Sequence, residues 1–103
     1  MRIRSVSCRR PGRLRPPRAA GLRAGAVRLN TGGVMDWHST RKREELLVML
    51  EGRVQLELRV SHRTSRALLR AGECAWLPPH TLHRVVNRSA VPARYVYVTG
   101  RAG

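Results

Sequence analysis

An all-β single domain is the fold class this sequence predicts, and three observations predict it. Apolar residues fall in short blocks or strict alternation, and no long stretch keeps the spacing of an amphipathic helix. Gly, Pro and Asn punctuate those blocks, which is the pattern of short strands separated by turns. The chain has 103 residues and is 42% apolar, a little below the ~45–50% of globular chains, enough for one packed core but not two. Roughly eight short strands at this spacing fit a small closed or sandwich-like barrel, an arrangement that removes exposed sheet edges.

Along the chain, strands are expected first over residues 24–30 and 34–38. The run from Leu46 to Leu50 is continuously apolar and ends at Glu51-Gly52-Arg53, where glycine can supply a positive φ, so a hairpin across Gly52 is expected. Glu45 shares strand parity with Leu47 and Met49, and Glu44 shares it with Leu46, Val48 and Leu50. Both faces of that strand are therefore apolar, and periodicity alone does not choose between the two glutamates. Residues 54–60 alternate most regularly, with Val54, Leu56, Leu58 and Val60 on one face and Gln55, Glu57 and Arg59 on the other. Strands over residues 65–70 and 73–77 follow; Pro78-Pro79 stops the second, because proline cannot donate to a sheet ladder. In the strand over 82–87, His83, Val85 and Asn87 share one face, and Arg84 and Val86, followed by Arg88, share the other. Outward arginines support an inward His83. A last strand covers residues 93–99.

Two spaced runs stand out. The first places Gly32, His38, Thr40, Glu45 and Gly52 with intervals of five, one, four and six residues. The second places Gly72, Pro78, His80, His83 and Asn87 with intervals of five, one, two and three. Together they resemble the two motifs of the cupin superfamily, and the 19 residues between them, 53–71, resemble the short spacing of small microbial members. The resemblance implies a double-stranded β-helix barrel, jelly-roll-like, of about eight strands. It also assigns metal ligands to His38, Glu45, His83 and the position of Thr40, and it selects Glu45 over Glu44 through the interval to Gly52. Two positions depart from the pattern. Thr40 stands where a second histidine is usual, leaving at best a weak neutral oxygen, and His80 stands where glycine is usual. Two imidazoles and one carboxylate match the facial arrangement of nonhaem iron, and the same set could hold Mn, Ni, Zn, Co or Cu. An interior carboxylate would be costly by several kcal/mol if ionised and unpaired, so Glu45 needs a cation, an arginine or a proton beside it.

Other chemistry-bearing residues have plainer readings. His80 is expected in a loop and His62 at a hairpin tip; Trp37, Trp76, Met35, Met49, Tyr95 and Tyr97 are expected as packing, with the tryptophans able to line a pocket. Asn87 is expected to support the fold, and Cys74 to behave as a small apolar group, with an inward thiol near the site as the sharper alternative. The triplet Arg41-Lys42-Arg43 reads as a solvated turn, with a clamp for a substrate anion as the sharper alternative.

The net charge of +15 is unevenly placed: residues 1–30 hold nine arginines and no acid. Residues 1–25, rich in Arg, Pro, Gly and Ala, bury too little apolar surface to offset their ordering entropy and are expected to form a disordered extension. Residues 26–103 are expected to form the single cupin barrel domain. The head could also be sequence upstream of the true start, or a targeting peptide, although its prolines oppose an amphipathic helix. Nucleic acid is a partner only through this arginine-rich segment, by nonspecific phosphate attraction, since it holds no aromatic residue for stacking. No run of about 18 apolar residues or secretory h-region occurs, so no membrane association is expected. Cys8 and Cys74 are not expected to pair, which suits a cytoplasmic location. These readings converge on a small protein holding one divalent metal ion in the barrel interior with a small organic molecule as ligand or substrate. By resemblance, oxygenase, isomerase and decarboxylase chemistry all stay open, and a homodimer is the default. The alternative is a metal-free binding or sensor module without catalysis.

Overall fold

The computed structural model describes residues 3–14 and 19–102. Among these residues nine strands are formed: β1 (Gly12–Leu14), β2 (Leu22–Leu29), β3 (Val34–Ser39), β4 (Arg43–Glu51), β5 (Arg53–Val60), β6 (Arg63–Arg70), β7 (Cys74–Leu77), β8 (Leu82–Val86) and β9 (Ala93–Arg101). They build two antiparallel sheets, of order β1-β2-β9-β4-β7 and β3-β8-β5-β6, rather than a ring closed by hydrogen bonds. After β2 the chain changes sheet at every connection except the β5–β6 hairpin. That hairpin turns at Ser61 and His62, both at positive φ. Among the described residues, no helix is long and apolar enough to cross a membrane.

The hairpin expected across Gly52 is not formed. β4 pairs with β7 and β9, whereas β5 pairs with β6 and β8, so the chain passes at Gly52 from one sheet to the other. Gly52 does adopt a positive φ, 71°, and an added Cβ would lie 2.5 Å from the Pro92 carbonyl oxygen. The glycine thus serves a corner between layers, in close contact with the chain entering β9.

β1 and the first four residues of β2 fall within the segment expected as a disordered extension. β1 pairs with β2 through Gly12↔Ala26, Arg13↔Gly25 and Leu14↔Ala24, and the Arg94 guanidinium donates to the Cys8 carbonyl at 3.1 Å. The expectation of a mobile head rests on its lack of apolar surface, but backbone pairing with a sheet edge needs none.

Strand parity sorts the interior into two ends. Met49 and Leu47 lead along β4 to Glu45 and Arg43. On β9, Ala93 and Tyr95 lead to Tyr97 and Thr99, and on β8 Val85 leads to His83. The apolar end is packed by Leu29, Leu47, Met49, Val54, Leu56, Leu69, Leu77, Val85, Ala93 and Tyr95. Asn87 closes it, as its place in the second motif suggested: its amide nitrogen donates to the Leu29 and Val91 carbonyls, and its oxygen accepts from the Ser89 amide and hydroxyl.

The outer face of the four-stranded sheet carries a second polar cluster. Glu57 is fully buried there, beneath Arg66 and Arg84, whose Nε atoms donate to it at 2.7 and 2.6 Å. Trp37 lies on the same face under the guanidinium groups of Arg59 and Arg84, 4.8 and 4.9 Å from its ring centre. Trp76 lies outside the other sheet, its indole donating to Glu44. Cys74 is exposed on the same strand, so no inward thiol reaches the site.

Two variants test this framework. Gly72 has a positive φ of 87° and open space at its missing Cβ, so Gly72→Ala should cost only the backbone term, about 1–2 kcal/mol. Gly52→Ala adds the clash with Pro92 and should cost roughly 3 kcal/mol or more, read from urea midpoints. For Glu57, hydrogen bonds from Arg66 and then Arg84 hold the carboxyl below its ordinary value of 4.5, against burial, which raises it. Its stabilisation is whole above that ordinary value and fades as pH falls through the depressed folded value. Glu57→Gln should therefore be less stable than the parent at neutral pH, with the difference closing in strong acid, as followed by urea unfolding over a pH series.

Candidate metal centre

Three strands deliver the site. β3 and β8 place His38 opposite His83 in one sheet, and β4 brings Glu45 from the facing sheet. Met35 and His38 both face the interior although they are three residues apart, because the β3–β8 register shifts between them. Asp36 marks the irregularity: its side chain accepts a hydrogen bond from the Trp37 amide at 2.8 Å, a local bond that competes with the ladder.

The two imidazoles are oriented alike. His38 Nδ1 lies 2.7 Å from the Asp36 carbonyl oxygen and His83 Nδ1 lies 3.0 Å from that of Thr81, each accepted two residues upstream. A ring that donates through Nδ1 carries its lone pair on Nε2, which is how metal-binding histidines are commonly held. The ring centroids are 4.2 Å apart. Ligating atoms of His38, Glu45 and His83 all lie within 4.8 Å of one another. His83 is fully buried and Glu45 nearly so, whereas His38 is exposed at the mouth. His83 Nε2 lies 3.3 Å from a Glu45 oxygen, yet their alignment makes no hydrogen bond, and this nitrogen is left buried without a hydrogen-bond partner among the described residues. Burial pushes the His83 pKa down, but Glu45 and the Thr81 carbonyl outweigh it, and the net shift is upward.

Thr40 sits beside the trio but turns its hydroxyl to the loop before β8. It donates to the Pro78 carbonyl at 2.8 Å and accepts from the Thr81 amide at 3.0 Å. His80 lies in that loop, at positive φ, and its amide donates to the Arg41 carbonyl at 2.7 Å.

The donor cluster opens into a cavity of about 870 Å³, within the range of pockets for small organic molecules, roughly 300–1,000 Å³. Tyr95, Tyr97 and Thr99 of β9 line it with Met35. Tyr97 lies across β2 at Gly25, where an added Cβ would strike the phenol. Burial, then Glu45 and Tyr97, pushes the Tyr95 pKa up, so this phenol stays protonated. Neither tryptophan reaches the cavity. The roles of Tyr97 and Thr99 were readable from strand parity once β9 faced Glu45; Arg13, which also lines the cavity, carried no such signal.

The family model described as a cupin domain matches residues 25–99. The chain belongs to the cupin family. Among solved structures, this cupin resembles a Cupin 2 conserved barrel domain protein from Salinispora arenicola, at 24% identity and a TM-score of 0.76, covering 99% of this chain and 90% of the other. It also resembles the cupin domain of Schizosaccharomyces pombe Cnp3, at 14% identity and a TM-score of 0.74, covering 89% of this chain and 64% of that one. An oxalate oxidase aligns at 20% identity with a TM-score of 0.73; 79% of the cupin chain is covered, but only 42% of the oxidase. At these identities the likeness is one of fold. No curated protein matches the sequence.

Thr40→Val should separate support from ligation. It leaves the buried Thr81 amide without its acceptor and should cost about 1–3 kcal/mol, while metal content after loading stays that of the parent. Urea unfolding and elemental analysis of the same sample give the two readings.

Proposed function

We propose that this cupin forms a double-stranded β-helix barrel whose interior holds one divalent metal ion and, beside it, a small organic ligand. His38 and His83 would bind through Nε2 and Glu45 through a carboxylate oxygen. The observation that carries this reading is the His83 ring: its Nδ1 is bound to the Thr81 carbonyl, and its Nε2, within reach of the other two donors, is buried without a hydrogen bond among the described residues. A buried nitrogen left this way is costly unless something accepts its lone pair. Two imidazoles and a carboxylate suit Fe, Mn, Co, Ni, Cu or Zn, and the cavity beside them would let a small molecule reach an ion held there. Such an ion would supply Lewis acidity and, if redox-active, access to oxygenation chemistry. An oxygenase or an isomerase acting on a small molecule fits this arrangement.

One observation favours a second reading. The upward shift of His83 beside Glu45 lets a protonated imidazole balance the buried carboxylate, which is what a metal-free binding module would use.

Elemental analysis of tag-free protein loaded with each metal in turn tests the choice. About one ion per chain is expected for the parent. His38→Ala, His83→Ala and Glu45→Gln should each weaken binding by more than the roughly 10–100-fold typical of changes to groups that merely orient ligands. No stoichiometric metal in the loaded parent, or unchanged metal in all three variants, would overturn the metal reading in favour of the metal-free module.

A further inference from the structure

The wall of the cavity outside the donor trio is cationic. Arg13 of β1, Arg23 of β2, Arg41 of the β3–β4 turn and Arg43 of β4 all line it, and among the described residues the sole acidic one lining it is Glu45. Arg43 is held in place, with Nε donating to the Thr99 hydroxyl at 2.9 Å and Nη2 donating to the Gly21 and Thr99 carbonyls at 3.0 Å each. Its pKa is lowered by burial and then by the charges of Arg23 and Arg101.

Nothing among the described residues neutralises them. The chain has six acidic residues; Glu45 faces His83 inside the cavity, and the other five are engaged elsewhere: Glu57 with Arg66 and Arg84, Glu51 with Arg94, Glu44 with Trp76, Glu73 with the Arg70 amide and Asp36 with the Trp37 amide. The contrast with Glu57 is informative, because this fold can bind surface arginines with a carboxylate and does so on its other sheet. Here it leaves four arginines around a cavity large enough to hold a small organic ligand.

We propose that the ligand of this cavity is a small organic oxyanion, bearing a carboxylate or phosphate group held by Arg23, Arg41, Arg43 and Arg13, with its remaining polar atoms turned toward His38, Glu45 and His83. The inference rests on the cavity reading above but not on the metal. Guanidinium groups take oxyanions in paired hydrogen bonds, and a concave site with one sign of charge focuses its field on the entering ion. The arginine-rich head then contributes directly to the site, because β1, pinned to the edge of β2, carries Arg13 to the mouth. Of the triplet Arg41-Lys42-Arg43, the two arginines line the cavity and Lys42 does not.

Calorimetric titration at low salt with succinate, glucose 6-phosphate and neutral glucose tests this on the full chain. Either anion, or both, should bind, more weakly as salt is added, and glucose should bind far less tightly. A response to succinate alone identifies a carboxylate site, and one to glucose 6-phosphate alone a phosphate site. Arg13→Gln, Arg23→Gln and Arg41→Gln should each weaken the anion roughly tenfold, the weight of one charge-assisted hydrogen bond, whereas Arg23→Lys, which keeps the charge but loses the paired hydrogen bonds, should recover only part of the affinity. Arg53→Gln, which does not line this cavity, is the control for general charge and should change little. Circular dichroism establishes that each variant is folded, and metal content is measured in parallel. Loss of anion binding in the arginine variants without any metal in the parent would sustain this proposal and sink the metal reading. Binding of glucose as tight as glucose 6-phosphate, equal affinity in parent and arginine variants, or no response to either anion at millimolar concentration would overturn the proposal while leaving the metal reading intact.

Discussion

A carboxylate cannot leave water alone, and this fold buries two of them with opposite solutions. Glu57, on the outer face of one sheet, is satisfied by guanidinium groups that reach over it from neighbouring strands. Glu45, facing inward, has no arginine bonded to it among the described residues; it lies 3.3 Å from an imidazole nitrogen that makes no hydrogen bond there. The first arrangement is complete and structural. The second is incomplete within the protein, and the two histidines bound to backbone carbonyls through Nδ1 are set to complete it from outside. Acidic residues are so scarce in this chain that where each one goes decides which cations stay exposed to solvent and ligand.

The fold serves that division by separating the interior into an apolar end and a polar one. Because each strand sends only alternate residues inward, β4, β8 and β9 change from apolar to polar residues at the same level, and the site appears where the three transitions coincide. Asn87 and the apolar cluster hold the far end of the two sheets together, so the near end can open into a cavity without the layers parting.

Much of this was legible in the sequence, for reasons that can be stated. The alternation over residues 54–60 located β5, and the intervals around His38, Glu45 and His83 identified three residues that meet in space although they lie on three strands of two sheets. What escaped was non-local. A glycine turn signals that the chain reverses but not which sheet receives the next strand, so Gly52 suggests a hairpin where the fold makes a corner. The shift near Asp36 turns His38 inward through a bulge that alternation does not encode. β1 escaped because an edge strand held by backbone bonds has no apolar signature, and with it went the place of Arg13 in the cavity wall.

The position of β9 has a consequence for how the molecule comes into being. This strand lies between β2 and β4 in the middle of the five-stranded sheet, yet it is the last of the nine to be synthesised. Until residues 93–101 have cleared the ribosome, β2 and β4 face each other across a missing strand, and Tyr95, Tyr97 and Thr99 are absent from the interior. A nascent chain of this topology must therefore keep its apolar strands from pairing wrongly until β9 has emerged. Long-range closure of this kind makes folding slow and exposes unpaired edges while it lasts.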